Sequence, residues 1–119
     1  MTSEFFGNVL YEGQAFRVIE TGVFGRQFSG LRDLRAVAKI ADRIRRVADG
    51  NFGDVKSASG GISEMRIDYG PGYRVYFVRR RNETIVLLCC GDKRTQQADI
   101  AEAKRLKAEI ECNDGTSSL

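Results

Sequence analysis

Apolar residues recur along this chain at two different periods, and each period predicts one kind of element. Residues 34–49 carry them at steps of three and four, which predicts an amphipathic helix. The stripe expected to face inward consists of Leu34, Val37, Ala38, Ala41, Ile44 and Ala48. Gly50 follows and predicts the end of this helix. A second stripe is basic and suits either a solvated face or a phosphate-binding surface; it consists of Arg35, Lys39, Arg43 and Arg46.

Residues 62–69 and 73–80 alternate between polar and apolar positions instead, and with the apolar run at residues 84–90 they predict a meander of three β-strands. In the first strand, Arg66 lies on the polar side, opposite Met65 and Ile67. A Gly-Pro-Gly turn at residues 70–72 leads into the second strand. There, one face carries Arg74, Tyr76 and Val78, and the other carries Tyr73, Val75 and Phe77. The continuous apolar run at residues 84–90 predicts a third strand that is covered on both faces or lies centrally in the sheet.

The other segments complete a predicted α+β domain. Residues 15–20 favour a first strand, Thr21 could cap a short helix, residues 51–61 suit a loop, and residues 94–110 predict a last helix. We therefore expect a small, twisted, mainly antiparallel sheet with two N-terminal helices and one C-terminal helix. The predicted domain spans residues 15–111, between an N-terminal extension (residues 1–14) and a polar C-terminal tail (residues 112–119).

Length and hydropathy exclude several protein classes. A chain of 119 residues is sufficient for one hydrophobic core. No apolar run approaches the roughly 20 residues that a membrane helix needs, and residues 1–14 lack the pattern of a signal peptide. We therefore expect a cytoplasmic protein without a membrane partner.

Charge points to a polyanionic partner, although the net value of +3 is modest. All 19 basic residues lie between Arg17 and Lys107, and residues 16–110 contain only 12 acids, so this stretch carries +7. Fourteen of the basic residues are arginines, whose planar guanidinium suits phosphate. An ordinary soluble surface with a basic bias is the alternative.

Metal and thiol chemistry are not expected. The chain has no histidine, which is the commonest metal ligand and general base. Its three cysteines, Cys89, Cys90 and Cys112, lack the spacing of a zinc site. We predict no cofactor and no metal, and we expect Cys89 and Cys90 to be reduced thiols at the end of a buried strand.

Candidate chemistry lies at one end of the meander. Arg66 and Arg74 fall on the polar side of neighbouring strands, and Lys93 and Arg94 follow the third strand, so these four can stabilise charge on a phosphodiester. By alternation Tyr76 shares the face of Arg74 and could stack on an RNA base. Further candidate RNA contacts are Lys56, Arg43 and Arg46. In the structural alternatives, Arg66 pairs with Glu64, Asp68 or a neighbour on the next strand, and residues 92–94 only begin a helix that Asp92 caps.

The stretches GPGYRVYF (residues 70–77) and GDKRTQ (residues 91–96), in the order helix, three strands, helix, carry a resemblance to a known family. Over residues 16–110 the chain resembles the RelE/ParE superfamily of bacterial toxins, and most closely its HigB-like branch of addiction-module killer proteins. The resemblance implies the toxin of a type II toxin–antitoxin pair, acting as a metal-independent, ribosome-dependent mRNA endonuclease.

The resemblance also implies partners and site residues. It places the phosphate-binding arginine at Arg74, the basic position of the preceding strand at Arg66, and the basic position after the third strand at Lys93 or Arg94. The implied partners are the ribosome with its mRNA and a cognate helix-turn-helix antitoxin, with DNA bound only through the antitoxin complex. The chain lacks a second basic residue beside Arg66 and a tyrosine or histidine in the last helix, so no general acid or base is assigned.

Two rival functions stay open at this point. ParE-like relatives share the fold but inhibit DNA gyrase by binding, without nuclease chemistry. The GDKRTQ corner and Arg74 favour the nuclease, whereas the unassigned acid and base favour the gyrase inhibitor. A degenerate module that only binds its antitoxin is the third interpretation.

Overall fold

The computed structural model describes residues 8–81 and 83–113, whose strands form one six-stranded sheet. Its elements are β1 (Asn8–Glu12), β2 (Arg17–Glu20), α1 (Gly22–Ser29), α2 (Leu34–Ala48), β3 (Val55–Ser59), β4 (Ile62–Ile67), β5 (Tyr73–Arg80), β6 (Thr84–Gly91), a 3₁₀ turn (Lys93–Thr95) and α3 (Gln96–Asn113). The strand order is β1-β2-β6-β5-β4-β3. The β2–β6 pair is parallel, and the other pairs are antiparallel. The predicted α+β class and the placement of the helices are confirmed.

The two faces of the sheet are covered by different helices. Helices α1 and α2 bury Phe24 and Ile40 against the face that carries Val75 and Phe77. Helix α3 buries its apolar stripe, Ala103, Leu106 and Ile110, against the opposite face. Strand β6 lies between β2 and β5, and its residues 85–90 are buried. The meander, its alternation and the central position of its third strand are therefore as predicted.

Thr21 and Gly50 mark the start of α1 and the end of α2, as the sequence indicates. The buried Thr21 accepts a hydrogen bond from the Phe24 N–H (3.0 Å) and donates one to the Leu88 carbonyl (2.6 Å), so it caps α1 and ties it to β6. Gly50 adopts a φ of 98° directly after α2, a conformation that glycine reaches without steric cost. No helix of residues 8–81 and 83–113 is long and apolar enough to cross a membrane.

The predicted inward stripe of α2 is correct at Ile44 and Ala48 but wrong at Leu34, Ala38 and Ala41. Helix α2 buries Ala36, Ile40, Ile44, Val47 and Ala48. Leu34 is 79% exposed, and Ala38 and Ala41 are also exposed. Alanines made two overlapping stripes of similar hydropathy possible, and the stripe that packs on the sheet includes Ile40 and Val47 in place of Leu34 and Val37. Of the basic stripe, Arg35, Lys39 and Arg46 are exposed, whereas Arg43 is half-buried.

Two segments without a predicted strand join the sheet at its edges. Residues 8–12, which we assigned to the N-terminal extension, form β1 and pair with β2, so the sheet begins before residue 15. Residues 55–59, within the predicted loop, form β3 and pair with β4. Residues 1–7 and 114–119 lie outside the described residues, whereas Cys112 belongs to α3.

Candidate functional site

A shallow cleft of about 350 Å³ lies where β4 and β5 meet the Gly-Pro-Gly turn. Its basic lining residues are Arg66, Arg74 and Lys93. Arg66 and Arg74 are direct register partners on the adjacent strands, so their side chains leave the sheet on the same face. The structure therefore brings together three of the four basic residues that the sequence selects.

The two motif stretches meet at this cleft. The Lys93 N–H lies 3.4 Å from the Pro71 carbonyl, which joins the hairpin turn to the start of the last helix. Gly72 has a φ of 83°, and a Cβ placed on it would lie 3.4 Å from the Cβ of Lys93. The turn thus presents backbone, without a side chain, to the residue that supplies the third cation.

The side chain of Arg74 is largely buried, unlike that of an arginine on the protein surface. Its side chain is 12% exposed and forms an ion pair with Glu64, whose side chain is 5% exposed. The Glu64 carboxylate also accepts hydrogen bonds from Nε2 of Gln96 in α3, at 3.2 and 3.0 Å. No sequence pattern indicated this pair, because Glu64 and Arg74 lie diagonally across two strands.

Arg66 is paired more loosely, with a carboxylate at the mouth of the cleft. Its Nη2 lies 3.0 Å from Oδ1 of Asp54, and the two side chains are 35% and 54% exposed. The hydrogen bond from Arg66 lowers the pKa of the Asp54 carboxyl below its usual range. The partner of Arg66 is neither Glu64 nor Asp68 but the residue just before the neighbouring strand β3, in the segment that we assigned to a loop.

Arg43 holds this part of the cleft together. Its guanidinium donates hydrogen bonds to the carbonyl oxygens of Arg66 (2.5 Å), Phe52 (3.1 Å) and Asp54 (3.3 Å). Arg46 pairs with Asp42 at 3.0 Å. Both arginines line a second cleft of about 310 Å³, which meets the first at residues 67 and 68. The donors of Arg43 thus bind the protein backbone, which limits the RNA-binding role predicted for it.

Arg94 and Lys56 do not line either of these clefts. Arg94 is exposed and pairs with Asp92, with Nη2 and Oδ2 at 3.0 Å. Asp92 caps the 3₁₀ turn, as predicted, by accepting a hydrogen bond from the Arg94 N–H at 2.9 Å. Lys56 is exposed on the edge strand β3, opposite Glu64 in register.

Tyr76 cannot stack on a base, which corrects the sequence prediction. It lies on the face of Arg74, but α3 covers this face and the ring is fully buried. Burial, together with the nearby Glu64 and Asp99, raises the pKa of Tyr76 above its usual range. The aromatic residue that lines the cleft is Tyr73, which is half-buried directly after the Gly-Pro-Gly turn.

The two adjacent cysteines are not candidates for nucleophilic catalysis. Cys89 and Cys90 are buried and form no disulfide. Burial raises the pKa of Cys90 to about 12, so its thiol stays protonated near neutral pH. Within residues 8–81 and 83–113, no group of three His, Cys, Asp or Glu residues is placed to hold a metal ion.

The cleft can therefore bind an anion and stabilise charge that develops on it. Arg66, Arg74 and Lys93 supply cations. Asp54 and Asp68 add carboxylates that could accept a proton, and Tyr73 could contact a base. This combination suits a nucleic-acid backbone better than an apolar ligand.

Two comparisons with known proteins find relatives of this chain. Residues 26–110 match the family model of phage-derived Gp49-like proteins (DUF891). The chain is also 51% identical to an uncharacterised protein of Haemophilus influenzae over 90 residues, which are 76% of this chain and 91% of that relative. The matched region contains every element from α2 to the end of the buried part of α3. The chain therefore belongs to the family of phage-derived Gp49-like proteins.

Proposed function

We propose that this protein is the toxin of a type II toxin–antitoxin pair and that it cleaves mRNA on the ribosome in the cytoplasm. The observation that carries the proposal is the cleft with Arg66, Arg74 and Lys93 on its walls. The resemblance to HigB-like toxins of the RelE/ParE superfamily supports it, as does the phage-derived family to which the chain belongs.

In the proposed reaction, the RNA 2′-oxygen attacks the adjacent phosphorus. An O2′–P bond forms and the P–O5′ bond breaks, so the products carry a 2′,3′-cyclic phosphate and a 5′-hydroxyl. The 2′-hydroxyl loses its proton and the leaving 5′-oxygen gains one. Negative charge grows on the phosphoryl oxygens, and the cations of the cleft stabilise it there. Tyr73 and Lys93 carry dissociable protons at the cleft, and Asp54 and Asp68 are its carboxylates.

Expression of the chain without its partner tests the function. We expect growth arrest and new mRNA 5′ ends within translated regions, mapped by primer extension. Lys93→Ala should weaken both effects, whereas Lys104→Ala should not, because Lys104 is an exposed lysine of α3 that does not line the cleft. Normal growth with soluble protein would contradict the toxin function.

Inhibition of DNA gyrase is the second candidate function. It is favoured by the absence of histidine and by the burial of Tyr76, which leave few groups for proton transfer. Growth arrest with an induced DNA-damage response and unchanged mRNA ends would establish this alternative.

We further propose that a helix-turn-helix antitoxin silences the cleft, and that DNA is bound only through the resulting complex. The antitoxin could cover Arg66 and Arg74 directly, or bind the basic stripe of α2. Charge reversal at Arg35 and Lys39 tests the second route, because both are exposed whereas Arg43 supports the backbone. Charge reversal at Arg66 tests the first. Association should slow as salt rises in either case.

A further inference from the structure

The first turn of α3 lies against the sheet next to Arg74, and a glycine makes this approach possible. Gly91 is the register partner of Arg74 on β6. A Cβ placed on Gly91 would lie 1.8 Å from Oδ2 of Asp99 and 2.7 Å from Oγ1 of Thr95. Only a residue without a side chain lets this turn of the helix lie so close to the strand. The glycine at position 91 therefore allows the first turn of α3 to lie next to Arg74, which lines the cleft.

Gln96 is the residue of α3 that reaches the Arg74–Glu64 pair. Its Nε2 donates to both carboxylate oxygens of Glu64, at 3.2 and 3.0 Å. A buried carboxylate needs such donors in addition to its cation, because each lone pair left unmatched costs free energy. The amide of Gln96 therefore limits the rotation of the carboxylate that holds Arg74.

Arg74 keeps donors beyond those that Glu64 uses. Its Nε is buried and has no hydrogen-bond partner within the described part of the chain. This Nε is shielded from solvent, but the Arg74 side chain as a whole is 12% exposed and lines the cleft, where a phosphate oxygen would meet the guanidinium. A guanidinium that Glu64 holds at the wall of the cleft is preorganised to bind an anion.

We propose that Gln96 is a positioning residue, which holds the Arg74 guanidinium through Glu64 in the orientation that binds a phosphodiester. The inference rests on the proposed function for its role in catalysis, but its geometric part stands without it. Replacing Gln96 by glutamate would place a second carboxylate beside Glu64. Arg74 would then be drawn to two acids, and its attraction for phosphate would fall.

The neighbouring Gln97 provides a matched control. Gln96→Glu and Gln97→Glu change the net charge equally at consecutive positions, but Gln97 is exposed whereas Gln96 is half-buried. On translating ribosomes we expect Gln96→Glu to lower kcat by about 10- to 100-fold, since complete loss of one charge-stabilising donor costs about 10²–10³. KM should change little, because the other cations remain. Gln97→Glu should keep the kcat of the wild type. Thermal unfolding checks that both variants fold, and Gln96→Ala replaces Gln96→Glu if the latter does not.

A second readout does not depend on cleavage. The Nε–H signal of Arg74 in ¹⁵N NMR, assigned by its loss in Arg74→Lys, is followed during titration with a 2′-O-methyl oligonucleotide, which has no attacking hydroxyl. We expect the signal to shift in the wild type and in Gln97→Glu, and to shift less in Gln96→Glu.

The two readouts separate the positioning role from the proposed function. Equal cleavage rates and equal NMR shifts in Gln96→Glu and Gln97→Glu would overturn the positioning role. An Arg74 signal that does not shift when the oligonucleotide is added to the wild type would also overturn it. If the wild type does not cleave mRNA but the NMR difference is present, the positioning role is supported and the proposed function fails.

Discussion

Arg66 on β4 and Arg74 on β5 are neighbours in the sheet, and each pairs with a carboxylate, but the two pairs differ in burial. Arg74 and Glu64 are nearly enclosed, and α3 adds a third partner through Gln96. Arg66 and Asp54 are open to water at the mouth of the cleft. Water has little access to the enclosed pair, whereas water and salt weaken the open pair. A count of charges in the sequence treats the two alike, but burial gives them different roles.

The largest expected effect is a difference in protein stability when the carboxylate of each pair is removed. Glu64→Ala leaves the guanidinium of Arg74 buried without its anion, so we expect the free energy of unfolding to fall by about 3–5 kcal/mol. Asp54→Ala should change it little, because water replaces the carboxylate around Arg66. Urea denaturation of both variants measures the difference. Equal losses would show that burial does not separate the pairs.

Replacement of both residues of the buried pair separates their effect on protein stability from their effect on cleavage. In Glu64→Leu/Arg74→Met no uncompensated charge remains, so we expect the stability to return to about that of the wild type or above. Cleavage should nevertheless stay about 10²–10³-fold below the wild type, because the stabilising cation is absent. Urea denaturation and a ribosomal cleavage assay test the two expectations. Wild-type cleavage by a folded double variant would remove Arg74 from the proposed mechanism.

Neutralisation of Asp54 should strengthen the binding of nucleic acid. Asp54→Asn removes a carboxylate that competes with phosphate for Arg66, so we expect a several-fold higher affinity for a 2′-O-methyl oligonucleotide, and a larger gain at low salt. Glu111→Gln is the control, because Glu111 pairs with Lys107 on α3 and the change of charge is the same. Unchanged affinity in Asp54→Asn would mean that Arg66 does not contact the ligand.

The smallest expected effect is a pH dependence of stability at the open pair. Arg66 holds the folded-state pKa of Asp54 below the usual value of about 3.9. The contribution of Asp54 is therefore fully present above that value and is lost as the pH falls through its folded-state pKa. We expect the stability difference between the wild type and Asp54→Asn to shrink as the pH falls from about 4 to 2, measured by denaturation in urea. A stability difference that grows as the pH falls would contradict the lowered pKa of Asp54.

The sequence by itself determined the elements whose pattern is long and unambiguous. The alternation of β4 and β5, the apolar run of β6 and the stripe of α3 placed the central sheet and its last helix, because each pattern repeats several times. Alternation also placed Arg66 and Arg74 on one face, since the side-chain period of a strand is fixed by backbone geometry. The motif stretches at residues 70–77 and 91–96 marked the position of the cleft.

Only the tertiary structure decided which positions are buried and which charges are paired. Alternation assigned Tyr76 to a face, but α3, a distant segment, covers that face. The stripe of α2 was ambiguous because alanine fits either side of a helix, and the short polar strand β3 lacked a periodic signal. The pairing of Arg74 with Glu64 and Gln96 depends on the diagonal neighbours of two strands and on the close approach that Gly91 allows. These contacts join residues far apart in the chain, so no local pattern encodes them.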